Sequence, residues 1–252
     1  MSSTVDPTGN CVSEPRQSQK LPWRRIGICI VLGAAFSGIA TQFTSTFQFA
    51  ERAIVAAGDT PPTAVAVRLE WLRRLQAMSN AAFVFSAFAA CASLSMVRLA
   101  ASRGFGAAKG FLRVLIATAA GAVAGAAGAE LFRLRPLGDQ NLTAMSVIHA
   151  TTWLLLAVGS ALGTRSSSPR ALTTLARAGV IGAAWGFLFP AVLTVFMPGA
   201  YLGTLIPGDP WARLVWAAAG GVVMGLAIAP VRRNLPEDHA ATLVPPSPGI
   251  PV

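Results

Sequence analysis

The sequence predicts an all-helical, polytopic integral membrane bundle of six transmembrane helices, and three observations carry that prediction. Six stretches of about 16 to 30 residues hold no formal charge, and each is bracketed by Arg, Lys, Asp or Glu. A helix of roughly 20 apolar residues spans the hydrocarbon core of a bilayer. Hydrophobic residues make up 54% of the chain and charged residues only 12%, with a mean hydropathy of +0.58. Soluble domains carry about 25% charged residues, so a water-soluble core cannot hide this much apolar surface in 252 residues. The runs also lack the short alternation of barrel strands. Helices are the remaining solution, because hydrocarbon offers no partner to an unpaired N–H or C=O.

Taken in order, residues 1–24 are rich in Ser, Thr, Gln and Pro and predict a disordered tail. The tail ends at Trp23, Arg24 and Arg25, residue types that suit the headgroup layer. A single membrane domain, residues 25–231, then holds spans expected over about 26–49, 75–97, 111–132, 143–163, 178–197 and 213–229. The first run is too long for the roughly 7–15-residue apolar region of a cleaved signal peptide and is expected to be kept. Pro190 inside the fifth run removes a backbone donor and predicts a kink there. Residues 232–252 form a Pro-rich tail expected to be flexible.

The segment between the first two runs has two readings. Thr60-Pro61 suits a helix start, and Val65, Leu69, Leu72 and Leu75 recur at helical spacing. It is either a straight extension of the second span or a separate interfacial helix anchored by Trp71. Glu70 and Arg74, four apart, form a mild helix-surface pair.

The net charge of +10 does not point to nucleic acid, because the cations lie in short loops beside apolar runs. Arg52, Arg68, Arg73, Arg74, Arg133, Arg135 and Arg213 fall on one side of a six-span topology, and the other 13 of the 20 cations on the opposite side. That bias places both termini in the cytoplasm. Cys29 and Cys91 lie within apolar runs as small hydrophobes, and Cys11 lies in the tail. There is no Cys-x-x-Cys pair, no Cys/His cluster and no paired carboxylates suited to a metal, so no metal or cofactor is expected.

Two patterns bear on how the spans associate. Gly58-Asp59, Gly138-Asp139 and Gly208-Asp209 each precede an even-numbered span, and Gly33-Ala34-Ala35 resembles Gly182-Ala183-Ala184. Three helical hairpins related by an axis along the membrane normal would explain this. So would the ordinary frequency of Gly-Asp in turns and Gly-Ala in membrane helices. Small residues also recur four apart: Ala117, Gly121, Gly125 and Ala129 in the third span, and Ala217, Gly221, Gly225 and Ala229 in the sixth. Such stripes let backbones approach closely in lipid. They place these two spans in the bundle interior, with a homodimer seam as the alternative.

Apart from cysteines and boundary arginines, only Glu130 and His149 are titratable groups within the expected spans. Ionisable residues in the membrane are costly and are functional candidates. Glu130 and His149 could form a proton-linked pair or a cation site completed by Thr151. Alternatively Glu130 reaches the interface and pairs with Arg133, three positions on, and His149 is structural. No nucleophile–base constellation is visible, so an enzyme is not expected. The leading expectation is a small-solute or ion permease or permease subunit. Its rival is a non-catalytic scaffold or accessory subunit that binds a partner membrane protein.

Overall fold

The computed structural model describes residues 23–43, 46–50, 62–101, 107–134, 141–165, 171–196 and 204–228. Six long helices account for most of them: α1 (Trp23–Thr41), α2 (Pro62–Ala101), α3 (Ala107–Arg133), α4 (Leu142–Arg165), α5 (Ala171–Phe196) and α6 (Pro210–Ile228). No strand occurs among the described residues. Five of the helices are long and apolar enough to cross a membrane, and the apolar part of α1 adds a shorter one over Ile30–Thr41. Residues 1–22 of the N-terminal tail, the C-terminal tail, Thr60-Pro61, Gly58-Asp59 and Gly138-Asp139 lie outside the described residues, while Trp23 and Arg24, expected in the tail, begin α1.

The helices close into a ring in chain order, each packed on its neighbours, and α6 returns against α1. Inside the ring α2, α4 and α6 also touch one another, whereas α1, α3 and α5 make no mutual contact. The bundle is therefore an inner triangle of even helices, with an odd helix laid in each outer groove. This is the arrangement three hairpins would give.

One ring from each inner helix fills the axis. Phe85 of α2, Trp153 of α4 and Trp216 of α6 form a triangle with centroids 5.5, 5.6 and 6.2 Å apart. Phe88 joins them at 5.4 Å from Trp153 and 5.9 Å from Trp216. All four are fully buried, with Val84, Leu156 and Met224 around them. The edge-on geometry favours such rings beyond the area they bury. The Trp153 and Trp216 indole N–H groups have no oxygen partner, and an N–H edge-on to a ring can meet its π face instead.

Glycine sets the spacing between helices. A Cβ on Gly121 or Gly125 of α3 would strike the Phe85 or Ala81 carbonyl of α2. A Cβ on Gly182 or Gly186 of α5 would strike the Trp153 or His149 carbonyl of α4. In both pairs the partner number falls by four as the glycine number rises by four, so the helices run antiparallel in matching register. The third groove inverts the device. There Gly221 and Gly225, on the inner helix α6, face Ala34 and Ile30 of α1.

Three expectations change against this architecture, and the open choice between a straight extension of the second span and a separate interfacial helix is decided for the extension. First, α1 ends at Thr41, not near residue 49. Thr41 Oγ1 donates to the Gly38 carbonyl, and Gln42 and Phe43 close the helix with tight i→i−3 bonds. A charge-free run that is rich in hydroxyls offers the backbone alternatives to helix. Residues from Pro62 onward continue straight into the second span. At 1.5 Å per residue, the 40-residue α2 is about 60 Å long, twice the roughly 30 Å hydrocarbon core. Second, α6 is an inner helix but α3 is not. The glycine face of α3 is buried while Leu112, Leu115 and Val123 are exposed, and α3 is the least buried of the five long spans. The stripes on both helices are occupied within one chain. Third, the Gly33/Gly182 correspondence fails, because Gly33 faces α2 of its own hairpin and Gly182 faces α4 of the preceding one. As for Pro190, α5 continues through it to Phe196.

Candidate functional site at the mouth of the bundle

At one end of the bundle, the starts of α2, α4 and α6 meet the ends of α1, α3 and α5, and polar side chains gather there. Helix starts leave N–H groups unpaired, and two side chains meet them. Asp209 Oδ1 accepts from the Ala212 N–H at 2.8 Å and caps α6. Asn141 Oδ1 accepts from the Thr143 N–H at 2.9 Å and caps α4. The Gly208-Asp209 pair is thus a helix cap.

Arg213, on the first turn of α6, gathers carbonyls from two segments. Its Nε donates to the Pro207 carbonyl at 3.0 Å, Nη2 to Gly208 at 2.7 Å and Nη1 to Thr41 at 3.4 Å. One guanidinium therefore ties the end of α1 to the loop before α6. That loop turns inward, and the buried side chain of Leu205 lies with Thr152 of α4 against Gly128 of α3. On the other side of α2, the Asn80 carboxamide pairs in both directions with the Phe47 peptide. The Phe47 N–H donates to Oδ1 at 2.9 Å, and Nδ2 donates to the Phe47 carbonyl at 3.1 Å. Gln76 Oε1 accepts from the Ala50 N–H at 3.0 Å. The segment after α1 is latched to α2.

Glu130 lies at the end of α3, where two guanidinia hold its carboxylate. Arg74 of α2 reaches it with Nη2 at 2.9 Å and Nε at 3.0 Å. Arg133, one turn on, reaches it with Nη2 at 2.8 Å. The expected Glu130–Arg133 pair is present. Arg74 turns away from Glu70 to join it, so the carboxylate bridges α2 and α3.

Glu130 and His149 are not brought together. His149 is buried on α4 between the rings of Phe132 and Phe189, with centroids 5.5 and 5.6 Å away. Its Nδ1 has no hydrogen-bond partner. Thr151 donates to the Val147 carbonyl of its own helix and completes no site with either residue. Among the described residues no cluster of His, Cys, Asp and Glu is arranged to hold a metal ion.

These groups rim a cleft of about 430 Å³ between α2, the end of α3 and the loop before α6. Ala77, Ala81, Ala129, Phe132 and Leu205 supply its apolar walls, and Arg133 and Arg213 its cations. A smaller hollow of about 120 Å³ shares Ala77, Ala129 and Arg133 with it and adds Arg73, Arg74, Glu70 and Glu130. Sequence reasoning missed Arg213, Asn80 and the role of Arg74. The available signal was their position, since each is a polar side chain within two turns of the start of an expected even span, residue 75 or 213. Comparison with protein-family models, with curated proteins and with solved structures finds no match.

Proposed function

We propose that this multi-pass membrane protein is a non-conducting accessory or scaffold subunit that acts by binding at its mouth. The observation that carries this reading is the quartet of Phe85, Phe88, Trp153 and Trp216, which packs the bundle axis at its middle with apolar rings. A permease needs a polar site near the midplane that opens to each side in turn. The cation count supports a cytoplasmic far end of the bundle, where α1 starts and α6 ends.

The test is reconstitution in liposomes with flux of protons, monovalent cations and small organic solutes measured by entrapped dyes. The expected result is leakage no greater than in protein-free vesicles. A specific flux that changes in a Trp153→Ala variant would refute the reading. One observation favours the permease alternative. His149, with its free Nδ1, packs on the Gly186–Pro190 stretch of α5, where a proton carrier and a helix weak point coincide. That alternative requires a flux abolished in His149→Ala.

A further inference from the structure

The mouth cleft has the chemistry of a specific ligand site, and this holds whether or not the bundle conducts. Its volume of about 430 Å³ lies at the lower end of the roughly 300–1,000 Å³ of small-molecule sites. With about 30 Å³ per water, it has room for roughly fourteen water-sized groups. That is a headgroup and the beginning of one acyl chain, not a whole two-chain lipid. The walls are alanines, Phe132, Leu205, Ile206 and Pro207, and the lining includes no carboxylate. The two cations come from different helices. Arg133 spends Nε and Nη2 on Glu130 and leaves Nη1 without a protein partner. Arg213 approaches from α6, fixed in place by the carbonyls it holds. The site also sits where the α3 span ends at Arg133, which is the depth of lipid headgroups. The adjoining hollow sets Arg73, Arg74 and Arg133 against two carboxylates, Glu70 and Glu130, so the cationic character belongs to the cleft itself.

An apolar slot beneath two cations selects an anion with an apolar tail, whose acceptor oxygens meet Nη1 of Arg133 and the positive charge of Arg213 from two directions. We propose that the cleft binds one anionic phospholipid, with its phosphate between Arg133 and Arg213 and the start of one acyl chain along Ala77, Ala81 and Phe132.

The experiment uses the full chain, purified in mild detergent and stripped of lipid. It is titrated with phosphatidylglycerol, phosphatidylcholine or inorganic phosphate while occupancy is read by native mass spectrometry and thermal stabilisation. Phosphatidylglycerol is expected to bind at one-to-one stoichiometry and at least about tenfold more tightly than phosphatidylcholine, the worth of one charge-assisted contact. Arg133→Gln should weaken it by about tenfold. Ala77→Phe, which fills the cleft from an exposed position and leaves every charge in place, should abolish it. Arg68→Gln, a cation outside the lining, should change nothing. Equal binding of the two lipids, or unaltered binding in Ala77→Phe, would overturn the proposal. So would equal losses in Arg68→Gln and Arg133→Gln, which would mean unspecific charge. Stabilisation by inorganic phosphate as strong as by the lipid would reduce the site to a phosphate pocket and refute the role of the acyl chain.

Discussion

Gly125→Ala tests the packing argument most directly, because two effects of opposite sign compete at one position. Alanine is favoured over glycine in a helix by about 0.8–1.0 kcal/mol. Against this, the new methyl group would lie 2.6 Å from the Ala81 carbonyl carbon, where ordinary contact begins at 3.4 Å. The obstacle is backbone, so no side chain can rotate away, and α3 must retreat from α2 by about 0.8 Å. A gap of 0.5–1 Å forfeits a quarter to a half of the dispersion well for each contact along the seam. Overpacking costs about 1–3 kcal/mol, and the rigid backbone obstacle puts this site in the upper half, at about 2–3 kcal/mol, so the clash outweighs the propensity gain by about 1–2 kcal/mol. For a chain of this size 1 kcal/mol is worth about 2–4 °C, which gives a fall of roughly 2–8 °C in detergent melting. Gly27→Ala on α1 is the control, since nothing lies within 4 Å of its added Cβ, and it should melt at or above the wild-type temperature. If Gly125→Ala melts with the wild type, or both variants shift alike, the glycine stripe is not the contact surface described.

Three further outcomes follow from named contacts. Asn80→Leu strands both polar groups of the Phe47 peptide, a loss of about 1–3 kcal/mol, and hydrogen exchange at the Phe47 amide should accelerate while exchange at Trp153 does not. Trp153→Ala empties the centre of the ring cluster and should cost about 3–5 kcal/mol, read as the largest melting shift of any single change proposed here. Asp209→Ala removes the cap of α6 and should cost about 1 kcal/mol, with a smaller loss for Asp209→Asn, measured by the same melting assay.

The membrane class and the number of spans were legible because charge is confined to the ends of apolar runs, and hydrocarbon enforces that rule residue by residue. The Glu130–Arg133 pair was legible because a spacing of three is a local geometric fact. The end of α1 was not, since Thr41 through Thr46 carry no charge yet compete for backbone hydrogen bonds, and a criterion of formal charge cannot see hydroxyls. Which helices lie inside was also hidden. Phe85, Trp153 and Trp216 are single residues in three separate runs, and no periodicity within any one run announces that they converge. The stripe on α3 misled for a related reason. Small residues mark a close contact, but an outer helix needs one as much as an inner helix does. Arg74 shows the limit of local pairing rules, because its carboxylate came from 56 residues away rather than from Glu70 one turn before.

The two ways of holding helices together are segregated along the bundle axis, and the segregation has a mechanical consequence. In the middle the seams are glycine against backbone and ring against ring, contacts that lose much of their energy with a small separation. At the mouth the seams are polar: Arg74 to Glu130, Asn80 to Phe47, Gln76 to Ala50 and Arg213 to Thr41. Unpaired polar groups are prohibitive in hydrocarbon but tolerable where water can replace a lost partner. The mouth latches can therefore release one at a time with water taking their place, whereas the centre can only open as a unit. Local opening in proteins begins where the hydrogen bonds are solvent-accessible and the apolar contacts few. For this fold that means the 46–50 segment parts from α2, and the 204–208 segment from its neighbours, before the aromatic triangle loosens, so the cleft lined by 204–208 can change shape while the axis stays closed.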